Sequence, residues 1–257
     1  MILVPARIAV GKRKWTLLHS EDYEHGGSEG STYSSGPATG WTHGADYGHA
    51  TRIWTGQTGG RALRFPTQAE SGGSGNSMYR TQCIFTAGYF STNNCTTEFR
   101  LDAEVKIPTS GGYTRQDGGG AGAIYAALAT FGNGTRQHCF GIKTASTLGI
   151  WVNSTAGDAG CPASGTNPTV SGTYSGSTAG SWYPVSYRLK MHATLGYLEF
   201  WWNGAKVASF AGDTRFSSGS NTGIIGVSYV LSTCGGTSSV SDKNYFGGID
   251  NVKTYKA

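Results

Sequence analysis

The chain has 257 residues, of which 41 are Gly, 14% are charged and 12% are aromatic. Gly stands far above its ordinary share of roughly 7%; together with the abundant Ser, Thr, Tyr and Trp, this excludes a protein of long helices and points to short strands and many turns. The aromatic content gives a core something to bury and argues against disorder, and a net charge of +5 is too small and too local to mark a nucleic-acid footprint.

A chain of this length suits one large β-sandwich or two small domains, and all-β domains of this size commonly stay single. It is long enough to bury about three-quarters of its unfolded surface, so it needs no metal or disulfide merely to fold. Residues 1–14 read as a basic arm carrying Arg7, Lys12, Arg13 and Lys14, either a solvated tail or a contact for an acidic neighbour. Trp15–His19 reads as a first strand, and residues 26–50 as a long loop anchored by Trp41 and Tyr47. Arg61–Phe65 alternates apolar and polar residues and stops at Pro66, the pattern of a short strand. Residues 70–77 read as a further Gly/Ser loop.

Thr97–Ile107 carries the clearest pattern of the first half. Phe99, Leu101, Ala103, Val105 and Ile107 fall on one face, and Glu98, Arg100, Asp102, Glu104 and Lys106 on the other. A period of two over this length is a half-buried antiparallel strand with a solvated charged face. After a Gly-rich connection at 111–122, strands are expected at Ala123–Phe131, Cys139–Lys143 and Gly149–Asn153. Residues 154–181 read as a long surface excursion rich in Ser, Thr and Gly. Tyr183–Ala193 alternates again, and Gly196–Phe210 reads as a hairpin turning at Asn203-Gly204, a dipeptide suited to the positive φ of a two-residue turn. Asn221–Ser232 and Asn244–Tyr255 close a series of about a dozen strands. No internal repeat or linker divides residues 15–257, which are expected to form a single domain.

The five cysteines, at 83, 95, 139, 161 and 234, contain no CxxC pair and have no His at zinc-finger spacing, which excludes a structural zinc site of that kind. Oxidation would favour pairing Cys83 with Cys95 and Cys139 with Cys161, while buried thiols explain the same count. The apolar run at Met1–Ala6 is too short for a signal peptide, and no stretch approaches the roughly 20 apolar residues of a membrane span. Synthesis in a cytoplasm without export is therefore expected, the alternative being an export signal trimmed and replaced.

The order of these elements resembles the concanavalin A-like superfamily of jelly-roll β-sandwiches, which includes laminin-G-like modules, carbohydrate-binding modules and polysaccharide lyases. The resemblance rests on Glu21-Asp-Tyr-Glu-His-Gly26, Trp41, Gly59-Gly-Arg-Ala-Leu-Arg-Phe65, Trp182 through Lys190, Gly196 to Val207, Gly212-Asp-Thr214, and Phe246-Gly-Gly-Ile-Asp-Asn-Val252, and covers residues 15–256. It implies an all-β fold of two antiparallel sheets packed face to face. It also implies a structural calcium ion held by Glu24 and Asp250, with Asp22 beside them. Carboxylates and loop carbonyls supply the hard oxygens that calcium takes, and strand-end carboxylates that cap turns explain the same residues.

A lyase acting on a uronic-acid polymer by β-elimination needs a neutraliser for the carboxylate, a base near pKa 7 and an acid for the leaving oxygen. The candidates are Arg100, Gln137, His138, Tyr187 and Tyr229. Thr97-Glu-Phe-Arg100 resembles the Arg-x-Glu-x-Arg strand of alginate-lyase-like enzymes, and Gln137-His138 their Gln-x-His. Thr96 replaces the first Arg, and the adjacent Gln137 and His138 face opposite sides of a strand. The closing Tyr-Phe-Lys motif is absent. No pair of clustered carboxylates, nucleophile elbow or phosphate loop supports glycosidase, Ser-His-Asp or nucleotide chemistry. Glycan binding needs less: an aromatic platform and a few polar groups. Trp41, Trp54, Trp151 and Trp201 are the candidate platforms, with core or edge packing as the alternative for each.

The resulting expectation is a non-catalytic structural or decoration module of a virus or phage particle surface, made in the host cytoplasm and able to hold a glycan. Its partners would be other structural subunits or a surface polysaccharide, in an oligomer, with no membrane and no nucleic acid beyond the basic arm. The alternatives are an extracellular carbohydrate-binding module and the polysaccharide lyase.

Overall fold

The computed structural model describes residues 13–24, 52–55, 60–66, 81–84, 98–106, 126–132, 136–144, 147–155, 167–174, 181–216, 226–229 and 246–257. Among these residues every regular element is a strand: β1 Thr16–Glu21, β2 Arg52–Thr55, β3 Arg61–Pro66, β4 Thr81–Ile84, β5 Phe99–Lys106, β6 Ala126–Gly132, β7 Arg136–Thr144, β8 Thr147–Thr155, β9 Val170–Thr173, β10 Trp182–Lys190, β11 Gly196–Trp202, β12 Ala205–Gly212, β13 Gly226–Tyr229 and β14 Phe246–Lys256. No helix among them is long and apolar enough to cross a membrane. The strands form two antiparallel sheets. The larger has eight strands in the order β12-β11-β10-β5-β14-β3-β2, with β1 also paired to β14; the smaller has six, β4-β13-β6-β7-β8-β9.

The alternation predicted for β5 is observed residue by residue, buried and half-buried in turn, and β11 follows the same period. Strands with one apolar face need a partner layer, and here each sheet supplies it to the other. Phe140 of β7 packs on Tyr187 of β10 (5.1 Å between ring centroids) and Phe200 of β11 (5.8 Å), while Phe99 of β5 meets Phe131 of β6 at 5.9 Å. Leu101, Leu148, Ile150, Leu189 and Leu198 are fully buried beside them. Each such side chain contributes about 1.5–3 kcal/mol when withdrawn from water, so the interface between the sheets is the dominant source of stability.

Two local features set the frame. At the β11–β12 hairpin, Asn203 and Gly204 both take positive φ, 47° and 80°, as the sequence predicted; this pair matches the right-handed twist of the strands it joins. At one side of the sandwich, β9 of the smaller sheet lies against β12 of the larger. The contact is so close that a Cβ on Gly172 would stand 1.6 Å from the Val207 carbonyl oxygen.

Two readings of the sequence need correction. The excursion at 154–181 contains β9, hydrogen-bonded to the edge of β8 from Thr147–Thr173 to Ile150–Val170. Two further strands of four residues, β2 and β4, were not anticipated either. Cys139 is buried, and Cys161, the partner that oxidation would favour for it, lies outside the described residues. The loop at 26–50, with Trp41, lies outside the described residues.

Candidate functional site

On the outer face of the larger sheet, the register sets polar side chains in rows across the strands. One row runs Tyr255, Arg100, Arg188, Glu199 and Ser209; the next runs Lys253, Asp102, Ser186, Trp201 and Lys206. Arg100 therefore stands directly opposite Arg188, a like-charge pair that destabilises a sheet unless neighbours neutralise it. Asp102 does so for Arg100 through a two-pronged contact, with Nε donating at 2.7 Å and Nη2 bonded to the second oxygen. That hydrogen bond raises the Arg100 pKa further. Arg100 is flanked by the rings of Tyr255 at 5.0 Å and Trp15 at 5.8 Å.

Arg188 is held differently. Its guanidinium lies 4.4 Å from the Trp201 ring centre, a cation–π contact worth about 0.5–1 kcal/mol at a half-exposed site. Its carboxylate partner, Glu199, is 3.8 Å away. Glu199 is meanwhile taken up by better donors: Trp201 Nε1 donates to it at 3.1 Å and Lys206 Nζ at 3.3 Å. Arg188 Nε has no hydrogen-bond partner among the described residues. Lower on the same face, Arg13 pairs with Glu98 at 3.0 Å and donates to the Tyr197 hydroxyl at 2.9 Å. Burial, then the nearby Glu98 charge, raises the pKa of the Tyr197 phenol. The end of the basic arm is thus fastened to this sheet.

The other lyase candidates lie elsewhere. Tyr187 alternates with Arg188 along β10, and so points between the sheets, fully buried; burial raises its pKa well above the ordinary tyrosine value. His138 also points inward, opposite Phe131 on β6. The partners of its ring nitrogens fix its tautomer: the Thr214 carbonyl, 2.7 Å from Nε2, can only accept, and the Asn153 N–H, 3.0 Å from Nδ1, can only donate. The ring is neutral, stacked on Phe216 at 4.9 Å, and burial pushes its pKa down to about 4. Asn153 has φ 52° at a register shift between β7 and β8. Such a bulge takes its amide off the ladder, and His138 supplies the missing acceptor. Thr214, in turn, donates to the Lys190 carbonyl at 2.6 Å and accepts from the His192 amide at 2.9 Å. His138 therefore ties the smaller sheet to the segment that leaves β12. Arg100, His138 and Tyr187 do not share a cleft; one is on an outer face and two are between the sheets.

Gln137 and Cys139 alternate with His138 and face away from the larger sheet, yet both are buried. Trp151 pairs with Cys139 and is 1% exposed, folded over Gly149 and Pro168; in this structure it packs and offers no open platform. Trp201 is half-buried with Arg188 over its ring. Trp54 lies on β2 opposite Ala62, and Tyr229 on β13 opposite Thr81; their side chains, like all of Trp41, are outside the described residues.

Glu24 and Asp250 flank the place where β14 changes partner from β3 to β1. The strand bulges there, with Asn251 at φ 48°. Each carboxylate accepts from a backbone amide: Asp250 from Asn251 N at 2.7 Å, Asp22 from Glu24 N at 3.2 Å, and Glu24 from Arg61 N, across to β3, at 2.7 Å. A Cβ on Gly60 would stand 2.1 Å from the Glu24 carboxylate, so Gly is what admits that side chain. No three His, Cys, Asp or Glu gather as metal ligands among the described residues.

Sequence reasoning missed Arg188, Glu199 and Lys206 on the outer face, and Thr214 and Phe216 around His138. Alternation in β10 places Arg188 outward, but its neighbours on β5 and β11 follow from register alone.

No protein-family model matches the chain, and no curated protein sequence matches it. Solved structures do. An endo-β-1,4-glucuronan lyase from the fungus Trichoderma reesei has a TM-score of 0.55 at 14% identity, over 93% of this chain and 95% of that one. An endo-1,3-β-glucanase from Streptomyces sioyaensis has a TM-score of 0.50 at 12% identity, over 94% and 96%. The carbohydrate recognition domain of Emp47p has a TM-score of 0.50 at 11% identity, over 93% and 96%. The likeness is one of fold: this chain is a two-sheet antiparallel β-sandwich of the concanavalin A-like jelly-roll kind.

Proposed function

We propose that the chain is a non-catalytic glycan-binding surface module, of the kind that decorates a virus or phage particle among other structural subunits. One observation carries the reading. The outer face of the larger sheet holds a half-exposed cluster of Arg188, Trp201, Glu199 and Lys206 on adjacent strands, whereas His138 and Tyr187 are fully enclosed. Aromatic and charged groups held on rigid strands suit recognition of sugar hydroxyls and apolar ring faces. A base with both nitrogens committed to the backbone does not suit proton abstraction. The structural neighbours with printed sugar-related names, a glucuronan lyase, a glucanase and a carbohydrate recognition domain, agree with a glycan as partner.

The test is a panel of uronic-acid and neutral polysaccharides, read both for retention of the protein and for ultraviolet absorbance of new unsaturated ends. Retention without growing absorbance is expected. Absorbance that grows with time would replace this reading with β-elimination, and absence of retention on every polymer would remove glycan binding.

A further inference from the structure

We propose that the Arg100–Arg188 pair on the outer face of the larger sheet binds an acidic group of a glycan, a carboxylate or a sulfate, with Trp201 and Tyr255 bordering the sugar. The inference rests on the glycan-binding reading and specifies its ligand. Two guanidinium groups on adjacent strands, at directly opposed positions, are an unfavourable arrangement for a sheet on its own. The face neutralises them unequally. Arg100 has a two-pronged partner in Asp102. Among the described residues, the only carboxylate against Arg188 is Glu199 at 3.8 Å, and that carboxylate already accepts from Trp201 and Lys206.

Donors therefore exceed acceptors around Arg188. An external oxyanion would balance them, and a planar guanidinium is the group that grips carboxylate or sulfate with two parallel bonds. The Arg188 and Arg100 side chains are 24% and 28% exposed, enough for their outer nitrogens to reach a ligand while their stems stay fixed. The flanking aromatic rings, Trp201 beside Arg188 and Tyr255 beside Arg100, give the site a preference for a sugar ring over a bare anion.

The experiment compares binding to a polyuronate, a sulfated glycan and a neutral β-glucan, by affinity electrophoresis and calorimetry at low and high salt. The proteins are the unmodified chain, Arg188→Gln, Arg188→Lys and the control Arg215→Gln. Arg215 is a fair charge control because it pairs with Asp213 beyond β12, away from the row. The expected result is preference for an acidic glycan, weakened by salt. Arg188→Gln should lose about tenfold or more in affinity, the scale of one charge-assisted contact. Arg188→Lys should lose part of it, and Arg215→Gln should stay within about twofold of the unmodified chain. Which acidic polymer binds more tightly identifies carboxylate or sulfate.

Thermal melts of each variant separate lost binding from lost fold. A folded Arg188→Gln that binds as tightly as the unmodified chain overturns the proposal. So does equal, salt-insensitive binding of the neutral glucan, an outcome that leaves the glycan-binding module standing. Retention on no polymer removes both.

Discussion

Two polar clusters on neighbouring elements are built to opposite specifications. Around His138 every hydrogen-bonding group of the ring has a partner, both partners are backbone, and no water reaches it. Around Arg188 three donors share the Glu199 carboxylate and the side chains stay partly in solvent, although Arg188 Nε itself is buried without a partner among the described residues. An unsatisfied buried polar group costs about 1–3 kcal/mol, so a cluster inside the sandwich survives only when closed. The outer nitrogens of a cluster on the face carry little penalty for an open valence, because solvent or a ligand can reach them. The difference teaches where to look for each role: the histidine that resembles a catalytic base is a fastener, and the arginine with no motif to announce it has capacity to spare.

Gly172→Ala forces a Cβ into the Val207 carbonyl and should cost at least the upper end of the 1–3 kcal/mol that overpacking usually costs; chemical denaturation measures it. If the loss is under about 1 kcal/mol, the β9–β12 contact does not hold the sandwich closed.

His138→Leu leaves the Asn153 N–H and the Thr214 carbonyl unpartnered and should cost about 2–4 kcal/mol. The pH dependence sharpens the point. The folded pKa of about 4 lies below the ordinary 6.5, so as pH falls the unfolded chain takes up this proton first. Stability from this group is fully present above pH 6.5 and falls by about 1.4 kcal/mol per unit towards pH 4, on the order of 3 kcal/mol in all. Below that it stays level. Urea midpoints across pH 7.5 to 3.5 should show this slope in the unmodified chain and its absence in His138→Leu. Parallel curves for the two proteins would show that the ring is not held neutral.

Asn203→Ala strains the left-handed turn position and should cost about 1 kcal/mol, read from the denaturation midpoint. At the small end, Arg188→Gln should change stability by less than about 1 kcal/mol, since the pair it breaks is long and half-exposed. A loss as large as that of His138→Leu would make the outer cluster a structural fastener too, and the contrast between the two would vanish.

Much of the fold was legible in the sequence. β5 and β11 announce themselves because each buries one face only, and Asn203-Gly204 because few other residues tolerate that backbone. Strands β2, β4 and β9 were not legible: four residues give too little alternation, and their pairing depends on chain far away. Of the candidate site, alternation put Arg100 outward, whereas Tyr187, offered as a lyase candidate on the same face, points inward. The His138 fastener was hidden, because its partners are backbone atoms of Asn153 and Thr214, the latter 76 residues away, and backbone leaves no mark in residue identity. Arg188 was hidden for a related reason: its neighbours are cross-strand, and register is a property of the assembled sheet.

The close approach at Gly172 also bears on association between copies of this chain. Strand edges with unpaired amides and carbonyls invite another chain to add on. With β9 pressed against β12, the end strands of the two sheets on that side shield one another. Among the described strands, β2 and β4 end the sheets on the opposite side. Strand addition is therefore disfavoured on the β9–β12 side.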